Sequence, residues 1–97
     1  MFLILLTYKK PLAEVDRFVA EHRAFLEQHY ASGQFLLSGR KEPRTGGVIL
    51  ATTAQRAEVE EIVRRDPFHR ENIADYEIVE FLPTMAAAQL GHLKEVM

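Results

Sequence analysis

The sequence contains no cysteine and no tryptophan in 97 residues. Without cysteine there is no disulfide framework, no thiolate zinc site and no cysteine nucleophile, which fits a reducing cytoplasm. Neither sign of charge dominates. Twelve Lys and Arg stand against 14 Asp and Glu, a formal net charge of −2, and the basic residues are scattered among acidic ones. That is not the basic field a nucleic-acid partner requires. Long hydrophobic runs are also missing, since no stretch approaches the roughly 20 apolar residues of a membrane helix. The opening MFLILLTYKK places its lysines after the apolar run, the reverse of a secretory signal. The expected location is therefore the cytoplasm, with no nucleic-acid and no membrane partner.

What is present suits a single domain over residues 1–97, with 83–97 as a C-terminal tail. Nearly half the residues are hydrophobic. A chain this long buries roughly 60 to 70% of its unfolded surface, an adequate core to which a partner subunit would add. Phe2 to Tyr8 is an unbroken apolar run closed by Lys9, Lys10 and Pro11, the pattern of a strand covered on both faces. Pro11 then opens a helix, where its missing N–H has no partner to lose. Leu12, Val15, Phe18, Val19, Phe25 and Leu26 recur at helical spacing as far as Ser32 and Gly33. Phe35 to Leu37 makes a second strand ending in Ser38, Gly39 and Arg40. Lys41 to Gly47 is a turn, and Val48 to Ala51 completes a hairpin. Thr52 and Gln55 resemble a capping box for a second helix that carries Ala54, Val59, Ile62 and Val63 and is stopped by Pro67. Tyr76 to Phe81 is the last strand, and the Ala-rich tail is expected to form a short docking helix weakened by Gly91.

This order, strand, helix, strand, strand, helix, strand, predicts an α+β, ferredoxin-like βαββαβ fold. A four-stranded antiparallel sheet would carry both helices on one face. The first strand is too apolar to show its second face to water, so a homodimer through the open sheet face is expected.

Two polar residues interrupt the apolar stripes. His22 sits at the centre of the first helix's stripe, and Asp66 continues the stripe of the second helix from Ile62 and Val63. A buried imidazole and carboxylate are costly unless paired, so the simplest resolution is that they meet each other or a ligand in a cleft. Plainer readings stand beside it. His22 would be a structural histidine on a backbone carbonyl, and Asp66 would end its helix at an unfavourable pole of the macrodipole, balanced by Arg64 or Arg65. Ser38 is either a turn residue or a donor to a substrate oxygen, Arg40 a solvated side chain or a binder of carboxylate or phenolate, and Phe68 a packing residue or a pocket wall. His29 lies about 10 Å along the helix from His22, too far for both to bind one metal, and its expected place is a charged residue at the helix C-terminus. His69 belongs to a loop and His92 to the tail. No metal site and no cofactor is expected from these spacings.

Glu21-His22-Arg23 with Leu26, then Phe35-Leu36-Leu37-Ser38-Gly39, then Asp66-Pro67-Phe68, together resemble the YciI-like (YCII-related) family over nearly the whole chain. The resemblance implies a dimeric α+β barrel, in which two chains join sheet to sheet. It also implies a site built on a His and an Asp that match His22 and Asp66. The family is similar in fold to muconolactone isomerase and includes a dehydrochlorinase acting on a chlorinated hydroxyquinol. Where family members often carry a longer excursion between the second and third strands, this chain has only Lys41 to Gly47.

A His-Asp pair suits proton transfer, because the carboxylate fixes the imidazole tautomer and supports the imidazolium that forms. The expected function is a small cofactor-free enzyme doing acid/base chemistry on a small cyclic oxygenated metabolite, by isomerisation, elimination or tautomerisation. His22 and Asp66 are its catalytic residues, and Ser38, Arg40 and Phe68 contact the substrate. The alternative is a non-catalytic module of the same fold that binds a small molecule or only dimerises.

Overall fold

The structure, a computed structural model, describes residues 1–53 and 55–94. The elements run β1 (Phe2–Tyr8), α1 (Leu12–Asp16), α2 (Val19–Ala31), β2 (Phe35–Arg40), β3 (Gly46–Ala51), α3 (Arg56–Arg64), α4 (Pro67–Arg70), β4 (Ala74–Glu80) and a 3-10 helix (Ala88–Leu93). The strands form one antiparallel sheet in the order β2-β3-β1-β4, the ferredoxin-like topology.

Alternation along β1 decides which face is the core. Phe2, Ile4 and Leu6 are essentially inaccessible and pack with Val15, Phe25, Val59, Ile62, Val63 and Phe68 from the helices. Leu3 and Leu5 point the other way and are only half-buried. The helices thus cover one face of the sheet. The other face carries Leu3, Leu5, Val48, Leu50, Leu37 and Val79, brought side by side by the strand register.

The expected barrel is not formed. The sheet is open, ending at β2 on one side and β4 on the other with no pairing between those edges. The resemblance implies a barrel shared by two chains, whereas within this chain the four strands fall short of the roughly eight that a closed barrel takes, and both edge strands stay unpaired on their outer side.

Local expectations are corrected at several points. The first helix is two pieces: Phe18 leaves helical geometry at φ −113° and ψ 5°, and its N–H donates to the Val15 carbonyl at 3.0 Å. Gly33 does close α2 in the left-handed region, at φ +82°. β2 and β3 extend beyond the apolar runs because the hairpin ladder continues through Arg40 opposite Gly47. The capping box is absent. Gln55 is the N-cap of α3 without a side-chain cap, and the Thr53 hydroxyl donates to the Gln55 carbonyl at 3.3 Å. Pro67 starts a helix rather than stopping one, occupying the first turn of α4 where a proline N–H is not missed. The tail forms the 3-10 helix with none of its residues buried. Ala54 and residues 95–97, which the sequence places in the second helix and in the tail, lie outside the described residues.

Candidate functional site

Asp66 is fully buried, and its surroundings explain why that is tolerated. Its backbone is extended between α3 and α4, so it is the N-cap of α4 and not the C-terminal residue of a long helix. A carboxylate is favourable in that position, where the sequence pattern alone puts it against the macrodipole. Oδ1 accepts the Phe68 N–H at 3.0 Å and also the His22 ring Nδ1–H at 2.8 Å. Oδ2 accepts the Tyr76 hydroxyl at 2.5 Å. Three donors on two oxygens is the bonding expected of an ionised carboxylate, which only accepts.

His22 is held on two sides. Its Nδ1 is committed to Asp66, and its ring lies flat on Phe68, with centroids 4.1 Å apart and planes 7° from parallel. Phe68 is in turn met edge-on by Tyr8 at 5.9 Å. One short segment, Asp66-Pro67-Phe68, therefore supplies both the acceptor and the stacking surface that orient the imidazole. With Nδ1 occupied, Nε2 is the atom left to act. The His22 side chain is 15% exposed and lines a cavity of about 360 Å³.

The cavity lies between α2 and the sheet. Its floor is apolar and buried, formed by Leu6, Ile49 and Phe68, with Val19 and Leu26 above. Gly47 takes an inward position of β3 between Leu6 and Arg40 and brings no side chain, which leaves the hollow. At this volume it is at the small end of ligand pockets, with room for a single-ring metabolite. Ser38 and Arg40 also line it. They do so because β2 is irregular between Phe35 and Leu37: Phe35 pairs with Ala51, but Leu37 pairs with Leu50 and Ser38 with Ile49. The extra residue turns Ser38 and Arg40 to the helix face that strict alternation from Phe35 would deny them.

The site residues expected from sequence are thus gathered here: His22 and Asp66 are bonded, and Ser38, Arg40 and Phe68 share the cavity with His22. The structure adds Tyr76, whose hydroxyl completes the Asp66 shell, and Tyr30, whose hydroxyl meets the Ser38 hydroxyl. It also adds Arg23 and Arg44 to the lining. Burial above all, and then the charge of Asp66 and its hydrogen bond, push the Tyr76 phenol far above its ordinary range. Tyr76 was legible in one respect, as a tyrosine on the inward face of a strand, where its hydroxyl must find a partner. His29 does not join the site. It is buried between Phe25 and Phe35, and its Nδ1–H donates to the Phe25 carbonyl at 2.9 Å, so it packs in the core instead of standing in solvent at the helix end. His69 lies in α4, exposed, its ring edge-on to Tyr76. Among the described residues no group of three or more His, Asp or Glu gathers as a metal site, and no helix is long and apolar enough to cross a membrane.

Comparison with known proteins places these features. The family described as the YCII-related domain matches residues 1–82. No curated protein matches the sequence. Among solved structures, the 5-chloro-2-hydroxyhydroquinone dehydrochlorinase of Burkholderia phenoliruptrix AC1100, in complex with 2,5-dihydroxybenzoquinone, is similar in fold: TM-score 0.71, 19% identity, 86% of this chain and 95% of that one covered.

Proposed function

The chain belongs to the YCII-related domain family, and we propose that within it the protein is a small acid/base enzyme acting on a cyclic oxygenated metabolite. One observation carries this proposal: His22 gives Nδ1 to a buried, threefold-bonded carboxylate and lines a small cavity, with its Nε2 making no hydrogen bond among the described residues. That is the division of labour of a general base and its orienting partner.

In the proposed reaction Nε2 takes a proton from a C–H or O–H of the substrate and becomes an imidazolium facing Asp66. In isomerisation or tautomerisation the proton returns at another atom; in elimination the C–H electrons form the new double bond, the leaving group departs with its bonding electrons, and Nε2 then releases the proton to the departing anion or to water. Phe68 keeps the ring plane fixed, and Ser38 donates to a substrate oxygen. The similar dehydrochlorinase, with a dihydroxybenzoquinone bound, suggests ring diols, quinones and lactones as the first compounds to test. No resident cofactor takes part in this scheme.

The test is a thermal-shift screen of such compounds followed by assay of each stabilising one for conversion. The expected result is turnover in the wild type and a fall in kcat of about 10²- to 10⁴-fold in His22→Ala. Stabilisation without conversion across the panel overturns the proposal and leaves a binding module. We also propose that a second copy of the chain docks on the apolar open face of the sheet, where water would otherwise meet Leu37 at 59% exposure and Val79 at 39%.

A further inference from the structure

The charge of the cavity is opposite to that of the chain. The protein has a formal net charge of −2, yet Arg23, Arg40 and Arg44 line the cavity and no carboxylate does among the described residues. These three cations are not equivalent. Arg44 is tied to Asp16 at 2.5 Å, and Arg40 to Glu42 at 3.0 Å on the exposed surface. Every other arginine outside the cavity also has a carboxylate within salt-bridge distance. Arg23 has none among the described residues. It is the residue next to His22 on α2, exposed, at the edge of a cavity whose floor is buried and apolar.

An amphiphilic cavity of this kind selects an amphiphilic ligand. Apolar walls accept a ring, and a guanidinium without a protein partner at the mouth accepts an anionic oxygen pair, to which its planar fork is matched. We propose that the cavity takes a compact single-ring organic anion, a carboxylate or an acidic phenolate, whose charged group is held by Arg23 while the ring lies toward His22 and Phe68. This inference rests on the acid/base reading only in treating the cavity as the substrate site. It names the class of substrate that the site selects. Arg40 is the second cation available, once its exposed contact with Glu42 opens. Arg44, fixed by Asp16, supplies field rather than contact.

The test compares benzoate with benzamide, which has nearly the same shape and no charge. Binding is measured by calorimetry and by amide chemical shifts at Ser38 and Gly39, in the wild type, Arg23→Gln, Arg23→Lys and the control Arg64→Gln. Arg23 is exposed, so its substitution is expected to leave the fold intact, as circular dichroism will show. The expected result is saturable benzoate binding that moves the Ser38 and Gly39 signals, with benzamide weaker by about tenfold or more. Arg23→Gln is expected to lose a similar factor for benzoate only, Arg23→Lys to recover part of it, and Arg64→Gln to match the wild type. Equal affinity for benzoate and benzamide, unchanged affinity in Arg23→Gln, or no saturable benzoate binding overturns the inference. The two proposals fail separately. Conversion of neutral ring compounds with no effect of Arg23→Gln removes the anion site and leaves the acid/base enzyme. Arg23-dependent benzoate binding with no compound converted does the reverse.

Discussion

Asp66 shows how much one side chain can organise. It caps α4, fixes the tautomer of His22 and takes the Tyr76 hydroxyl, all from a fully buried position. Asp66→Ala removes a cap and leaves a phenol and a ring N–H without their acceptor, so chemical denaturation is expected to show a loss of about 2–4 kcal/mol. Asp66→Asn keeps the shape but offers only one accepting oxygen, and ¹⁵N NMR should show the His22 ring leaving its single Nδ1–H tautomer. Tyr76 yields a prediction in pH. Its phenol is raised above the ordinary value of 10.0, first by burial and then by Asp66. The unfolded chain therefore releases this proton at lower pH than the native protein. The stability due to Tyr76 is complete below pH 10 and declines above it, by about 1.4 kcal/mol per pH unit. Tyr76→Phe is expected to flatten the alkaline limb of stability against pH by that slope, at a cost near neutrality of about 1 kcal/mol. An alkaline limb of unchanged slope in the variant would show that Tyr76 is not buried against Asp66.

At the scale of elements, the site depends on an irregularity and a close approach. The extra residue in β2 gives Ser38 and Arg40 the inward face, and the hairpin at β2–β3 keeps them there. Gly46 lets β3 come down on β1: a Cβ at that position would lie 1.8 Å from the Leu6 carbonyl oxygen and 2.7 Å from its carbon. Both atoms are backbone of the central strand, so the strands themselves must separate. Gly46→Ala is expected to lower the urea midpoint by the equivalent of about 1–3 kcal/mol without changing the slope of the transition. Helix boundaries matter in the same way. The break at Phe18 separates α1 from α2, and the turn from α3 into α4 at Asp66-Pro67 is what aims both the carboxylate and the Phe68 ring at His22.

For the molecule as a whole, the open sheet is the dominant fact. One face is covered by helices and the other presents an apolar patch of Leu3, Leu5, Val48, Leu50, Leu37 and Val79 bordered by Glu77 and Asp75, with β2 and β4 as the edge strands. A second copy on that face is expected to appear as a dimer in sedimentation equilibrium at micromolar concentration. Leu5→Lys, at the centre of that surface, should then give a monomer that keeps its circular dichroism. A wild type that sediments only as monomer sinks the docking proposal while leaving the His22 site untouched.

The order of strands and principal helices and the meeting of His22 with Asp66 were legible in the sequence, because a polar residue on an apolar stripe must find a partner, whereas the unbroken apolar run of β1 left its inward side to be decided by packing. Extension of the strands to Arg40 and Ala74, the break at Phe18 and the capping role of Asp66 were not, since the same residues suit more than one local conformation and neighbours distant in sequence decide between them. Tyr76 reaches Asp66 from an edge strand, Arg23 meets Arg40 and Arg44 around one cavity, and Ser38 faces inward through a single extra residue in β2. These depend on register and on packing across the sheet, which no repeat along the chain encodes. The same holds for the sheet edges. An apolar first strand requires cover on both faces, but whether the sheet closes is a property of strand number and pairing, and this chain's four strands leave it open.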